Sequence, residues 1–274
     1  MRDLIQEILN CFERNTPIVL VTIVEATGST PGRVGGKMLV YKDGSIKGTV
    51  GGGLLEGKVI EESLRAIENN QPFLLSYNLT ERESAGLGMV CGGHVKVFVE
   101  PFLPQPHLII AGGGHISQNL CPLAKKLNYE VTIIDDRKEF VNKQKFPDAD
   151  HLNLGNIDEV LRHSNIHPQT YIVLVTRGHA CDEEALHAII DSPAAYLGMI
   201  GSQRKVKVVF DNLCSKGVSS ELLKRVKAPI GLNIGGDTPA EIAVSIMAQI
   251  QKFRYKKGDT TEELNYENPY SKKY

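Results

Sequence analysis

Between Leu108 and Ser117 the chain reads Leu-Ile-Ile-Ala-Gly-Gly-Gly-His-Ile-Ser. An apolar strand, a glycine turn and a helix start follow in the order that dinucleotide folds use to bring backbone amides against a pyrophosphate. Gly112 and Gly114 hold the first two glycine positions of that pattern. Gly113 lies between them, His115 follows at the helix start, and Ser117 stands at the third position. Free N–H groups at a helix start attract an anion. Asp135 closes the next strand, 21 residues past Gly114, where an acid that binds ribose belongs. The same pattern serves a fold that keeps these glycines for geometry and binds another nucleotide or none.

A second cluster combines Gly28-Ser29-Thr30-Pro31-Gly32-Arg33-Val34-Gly35-Gly36-Lys37 with Gly48-Thr49-Val50-Gly51-Gly52-Gly53-Leu54-Leu55-Glu56. No GK[ST] closes it, so it is not a Walker A loop. Two glycine-rich segments flanking a hairpin can cradle a phosphate with amides, Arg33 or Lys37 adding charge. They can equally be tight turns of a small β domain. Cys91 lies among glycines at Gly88, Gly92 and Gly93, where a thiol stays accessible to a soft metal or an activated sulfur. Cys11, Cys121 and Cys214 read as buried small hydrophobes, and Cys181 adjoins a polar loop. In Thr176-Arg177-Gly178-His179, just after an apolar strand, His179 with Asp182 is either an acid/base pair, a metal ligand or a solvated loop residue. Ser202, Arg204 and Lys205 sit in a similar strand-to-helix turn and suit an anion. Residues Pro229–Pro239 make another. Several such turns on one sheet edge would form an amide-lined cleft.

These residues need elements to hold them. Asp3–Arg14 carries apolar residues at helical spacing, and Ile18–Glu25 is a β-branched strand. Lys37–Tyr41 and Ser45–Val50 read as a hairpin, Leu54–Asn69 as a helix, and Phe73–Leu79 and His94–Glu100 as strands. Pro101, Pro104 and Pro106 mark a linker. Beyond it strands at His107–Ala111, Glu130–Asp135, Tyr171–Thr176 and Ala195–Met199 alternate with helices at Ile116–Leu127, Asp158–His163 and Asp182–Ile190. That alternation predicts a parallel sheet with helices on both faces. Thr238, Pro239 and Glu241 spell a capping box for a last helix. The expected architecture is α/β. An N-terminal mixed α+β domain (1–100) leads through a linker (101–106) to a Rossmann-like parallel α/β domain (107–254), with a tail (255–274) that is loose or docks on a partner.

Composition sets the outer bounds. In 274 residues, 31 basic and 32 acidic side chains give a formal charge of −1, which argues against a general nucleic-acid or acidic-membrane binder. The apolar runs fall far short of the ~18 residues a membrane helix needs. The N-terminus carries an acid and does not read as a signal peptide, and five scattered cysteines with no CxxC pair point to a reducing cytoplasm. Glycine is the outlier at 26 residues, ten of them between Gly28 and Gly57.

Taken together, the segments resemble the xanthine dehydrogenase accessory factor family (XdhC/CoxI). The resemblance runs from about Leu4 to Phe253 through Ala26–Arg33, Gly48–Glu56, Cys91–Val97, Ile110–His115, Val131–Arg137, Tyr196–Lys205 and Pro229–Val244. Leu54 departs from relatives that carry a cysteine after the triple glycine. The resemblance implies an accessory protein rather than an enzyme. Such a protein would bind molybdenum cofactor and help load its sulfurated form into a molybdenum hydroxylase, acting as a dimer beside a cysteine desulfurase. On that reading the glycine loops hold the phosphate and Cys91 protects or contacts the metal. The competing expectation is an NAD(P)-dependent oxidoreductase with His179 or Asp182 as proton donor.

Overall fold

The computed structural model describes residues 2–79 and 93–255. The first domain is a five-stranded antiparallel sheet with a helix on each face. Its elements are α1 (Arg2–Glu13), β1 (Ile18–Thr27), β2 (Lys37–Tyr41), β3 (Ile46–Gly48), α2 (Gly53–Asn69), β4 (Phe73–Asn78) and β5 (His94–Phe102), in sheet order β3-β2-β1-β5-β4. Alternation decides which side chains meet which helix. Val19, Val21, Ile23, Met38, Val40, Val95, Val97 and Val99 point to α2 and its Leu55 and Val59. Ile18 and Leu39 point the other way, against Cys11 of α1. The return strand of the hairpin is shorter than expected because Gly48 turns out of it at φ +90°.

The second domain contains β6 (His107–Ala111), α3 (His115–Lys126), β7 (Glu130–Asp135), β8 (His151–Leu154), α4 (Ile157–His163), β9 (Thr170–Leu174), α5 (His179–Ile189), β10 (Tyr196–Met199), α6 (Gln203–Ser215), α7 (Ser220–Leu223), β11 (Val226–Lys227) and α8 (Pro239–Arg254). All strand pairs are parallel, in the order β11-β10-β9-β6-β7-β8. This is the doubly wound Rossmann order, and it reverses between β6 and β9. Both faces are apolar, as a covered parallel sheet requires. Ile109, Ile134, Ile172 and Leu197 pack toward α4, α5 and α6. Leu108, Ile110, Val131 and Val173 pack toward α3 and α8. On the latter face three tyrosines form a ladder: Tyr129 to Tyr171 at 5.6 Å and Tyr171 to Tyr196 at 6.3 Å, with Phe253 of α8 5.4 Å beyond.

The structure corrects several expectations. β5 runs through Pro101, opposite Val19, to Phe102, so the linker starts later than expected. The strands β8 and β11 are additional. α5 begins at His179, so that residue opens a helix rather than lying in a loop. Cys11 and Cys121 are buried as expected, but Cys214 is exposed. The capping box at α8 is present: Thr238 accepts from the Glu241 amide at 3.3 Å, and the Glu241 carboxylate accepts from the Thr238 amide at 2.9 Å. Residues 256–274 of the expected tail lie outside the described residues.

Candidate functional site

In the N-terminal cluster the triple glycine leads into α2, and Glu56 lies in its first turn. That placement lets the carboxylate fold back onto the loop before it. Glu56 Oε1 accepts from the Val50 amide (3.1 Å), the Gly52 amide (2.9 Å) and the Thr49 hydroxyl. Burial works to raise its pKa, but these donors prevail and hold it below the usual carboxylate range. Part of the expected phosphate cradle is thus filled by the chain's own anion. Gly28, Ser29 and Arg33 remain exposed on the facing loop, and Thr30 caps its own turn by donating to the Gly32 carbonyl at 2.9 Å. The backbone of Gly93 packs against Ser29, where a Cβ would collide with the Ser29 carbonyl. Cys91 lies outside the described residues.

At the carboxyl ends of the parallel strands the glycine turn divides its labour. Gly112 has φ +110°, and a Cβ there would run into the Val175 carbonyl, so the turn and the β9 loop meet only because it is glycine. Ser117 is fully buried and donates back to the Gly112 carbonyl, locking the turn from below. Gly114 is different. It is the N-cap of α3 with ordinary extended dihedrals and no side-chain cap, and a Cβ on it would meet nothing within 4 Å. Gly178, the N-cap of α5 across the sheet reversal, has the same three properties. Neither backbone conformation nor packing asks for glycine at these two positions, and a Ser, Thr, Asp or Asn would cap better. What glycine leaves is open room over two adjacent helix starts, with His115 and His179 exposed as the first residue of each.

Asp135 closes β7 as expected, yet it faces inward and is only 1% exposed. Its oxygens accept from the Gly113 amide (2.7 Å), the Arg137 amide (3.0 Å), and Arg137 Nε and Nη2 (2.9 Å each). Burial opposes its charge, but the Arg137 guanidinium and these amides outweigh it and lower its pKa. Its neighbour Asp136 accepts from Arg177 at 2.7 Å, joining the β7 and β9 loops.

The next pair of loops converges on Asp182, which is fully buried. It accepts from the Thr176 hydroxyl at 2.7 Å and the Thr176 amide at 3.3 Å, and it pairs with the Lys205 ammonium of α6. Asp182, in the first turn of α5, therefore ties the β9 loop to the first turn of α6. It is a structural tether and does not pair with His179 as the sequence suggested. Above it, His179, Ser202, Arg204, Lys205 and Val208 line a cavity of about 290 Å³. Arg204 carries no ion pair among the described residues, whereas Lys205 is committed to Asp182. The expected set thus splits into three groups: the hairpin loops around Glu56, the turn at Gly112–Gly114 with Asp135, and His179 with Ser202 and Arg204. Sequence reasoning had Asp136, Arg137 and Arg177 within its segments but gave them no role, because an acid recognised as ribose-binding gives no sign that its own i+2 arginine will chelate it.

Among the described residues no group of three His, Cys, Asp or Glu side chains could hold a metal ion. No described helix is long and apolar enough to cross a membrane. Fold and site together define a two-domain α/β protein whose second sheet has the doubly wound Rossmann order, with two glycine-capped helix starts at its reversal.

Residues 108–250 match the XdhC Rossmann domain, and residues 11–78 match the XdhC and CoxI family. The chain belongs to that family. It is 37% identical over 246 residues to the uncharacterized protein YqeB of Escherichia coli (strain K12), covering 88% of this chain and 44% of YqeB. A probable xanthine dehydrogenase subunit from Bacillus subtilis (strain 168) is 28% identical over 159 residues, 58% of this chain and 46% of that protein. The chain therefore spans less than half the length of these two relatives. The molybdenum cofactor insertion chaperone PaoD of E. coli (strain K12) is 24% identical over 285 residues, 86% of this chain and 83% of PaoD. A crystal structure described as a xanthine dehydrogenase from Bacillus halodurans superposes with a TM-score of 0.52 at 20% identity, over 96% of this chain and 98% of that one. At that identity it bears on the fold alone.

Proposed function

We propose that this protein is an accessory factor that binds molybdenum cofactor and helps insert its sulfurated form into a molybdenum hydroxylase. The observation that carries the reading is the pair of glycine N-caps, Gly114 and Gly178, which flank the sheet reversal with room for a ligand to approach two helix starts. The cofactor ends in a phosphate, and amides at helix starts are the backbone's own phosphate ligands. Arg204 and Ser202 add a free guanidinium and a hydroxyl beside them. Family membership and the likeness to PaoD, whose name states cofactor insertion, support the choice of ligand. When bound, the cofactor supplies the metal centre that the client enzyme uses. The residues of this chain bind, orient and shield it, with Cys91 as the thiol assigned to the metal side.

On this reading the chain works in the cytoplasm as a homodimer, and its partners are the client hydroxylase and a cysteine desulfurase. Mass spectrometry of natively purified protein tests it directly. Wild type should release a pterin, and Gly114→Ala and Arg204→Ala should release several-fold less at unchanged stability. Wild-type protein devoid of pterin after expression beside an active cofactor pathway counts against the reading. Unchanged loading in Cys91→Ala counts against that residue.

A further inference from the structure

A Rossmann sheet of this order holds a dinucleotide across its reversal. The adenosine lies over the half that runs outward from β6 to β8, and its ribose hydroxyls are read by the acid ending the second strand. Here that half is already filled. A carboxylate offers about four acceptor directions, and Asp135 has four donors at 2.7–3.0 Å from Gly113 and Arg137. None is left for a ribose. Arg137 is held in place in turn, its guanidinium 3.8 Å above the Phe140 ring, with Lys145 3.9 Å from the same ring. The turn carrying Phe140 lies on the glycine loop itself, the Phe140 carbonyl standing 2.6 Å from where a Gly113 Cβ would be. Arg177 spans from the β9 loop to Asp136 at 2.7 Å. Where an adenine would slot, Asp136, Asn156, Ile157, Asp158, Cys181 and Glu184 enclose about 20 Å³. That is room for about one water, and three carboxylates rim it. The other half is open: the cavity at His179, Ser202 and Arg204 measures about 290 Å³.

We propose that this Rossmann domain is closed to NAD(H) and NADP(H), that Arg137 is the residue that closes it by occupying Asp135, and that an anionic ligand enters through the half beyond β9, on Arg204. The exclusion of dinucleotides goes beyond the cofactor reading and stands independently of it, whereas the anion site on Arg204 rests on that reading's own cavity.

Equilibrium dialysis of the full chain against NADH, NADPH and inorganic pyrophosphate is the test. Neither dinucleotide should bind more tightly than about 1 mM, the weak end of the affinity scale. Pyrophosphate should saturate, and Arg204→Ala should weaken it at least tenfold. Arg137→Met, which keeps the packing volume on Phe140 but frees Asp135, should raise NADH affinity at least tenfold. Micromolar NADH binding by wild type overturns the proposal. A folded Arg137→Met with no gain overturns the assignment to Arg137. Pyrophosphate binding that is absent, or indifferent to Arg204, overturns the assignment of the open half. Should Arg137→Met not fold, the wild-type dinucleotide and Arg204 arms still decide. A protein that carries pterin yet binds NADH would sink this inference alone; one that binds neither would sink only the cofactor reading.

Discussion

A single carboxylate in the N-terminal domain does what an external anion was expected to do. Glu56 holds the Val50 and Gly52 amides and the Thr49 hydroxyl, so the glycine loop is a finished structure before any ligand arrives. Glu56→Ala should cost about 1–2 kcal/mol in urea denaturation, the penalty for part-buried amides left without an acceptor. The two kinds of glycine in the Rossmann turn separate stability from binding. Gly112→Ala would force a Cβ against the Val175 carbonyl at positive φ, and it should destabilise by more than about 2 kcal/mol. Gly114→Ala meets no neighbour at an allowed φ, so its melting temperature should stay near wild type while ligand binding falls. A melting temperature lowered as far as in Gly112→Ala would mean that Gly114 is structural. The sequence showed where these glycines stand but not which of them the chain itself needs. That distinction depends on the neighbours each Cβ would meet.

Among the elements, those with strong local chemistry were legible. The α8 start was spelled by Thr238, Pro239 and Glu241, and Thr238→Ala should cost about 1 kcal/mol by removing one side of the box. Buried strands such as β6, β7 and β9 announced themselves by apolar, mostly β-branched runs. β8 did not. His-Leu-Asn-Leu has no β-branched residue and none of its side chains is buried, because it is the edge strand, paired on one side only, with β7. β11 has two residues and exists only through its pairing with β10. Pro101 misled the reading of β5 because proline is a breaker in isolation. Long-range pairing with β1 overrides that preference.

At the scale of the molecule, the depressed acids and histidines set one side of the stability curve. Burial holds His107 and His167 below the ordinary histidine value, and hydrogen-bonded Asp135 and Glu56 sit below theirs. As pH falls, the unfolded chain takes up protons that the folded chain refuses, so stability drops. The loss should begin below about pH 6.5 through the histidines and steepen below about pH 4 through the carboxylates. Denaturation midpoints measured from neutral to acid pH check this, and a flat profile down to about pH 4 would contradict the histidine part. The two-domain plan itself was readable, because hydrophobic pattern changes from antiparallel alternation to βα alternation across the prolines. The closed nucleoside half was not, since it depends on Arg137 folding its side chain back onto Asp135 and on a contact between distant loops, Arg177 with Asp136, neither of which residue type or spacing announces.

The tyrosine ladder under α8 ties an optical signal to the packing of the Rossmann domain. The chain has no tryptophan, so its near-ultraviolet spectrum belongs to tyrosine. Burial pushes Tyr171 and Tyr196 well above the ordinary phenol value, and their protons stay on while the domain is folded. In an alkaline titration the unfolded chain loses these protons first, so stability declines as pH rises past about 10. The ladder's tyrosinate absorbance should then appear as one cooperative step coincident with loss of helix signal. Burial also pushes Tyr41 and Tyr77 of the N-terminal domain up to about 12, so an alkaline absorbance scan of the Tyr41→Phe, Tyr77→Phe variant doubles as an unfolding assay for the Rossmann domain, with no dye or label attached.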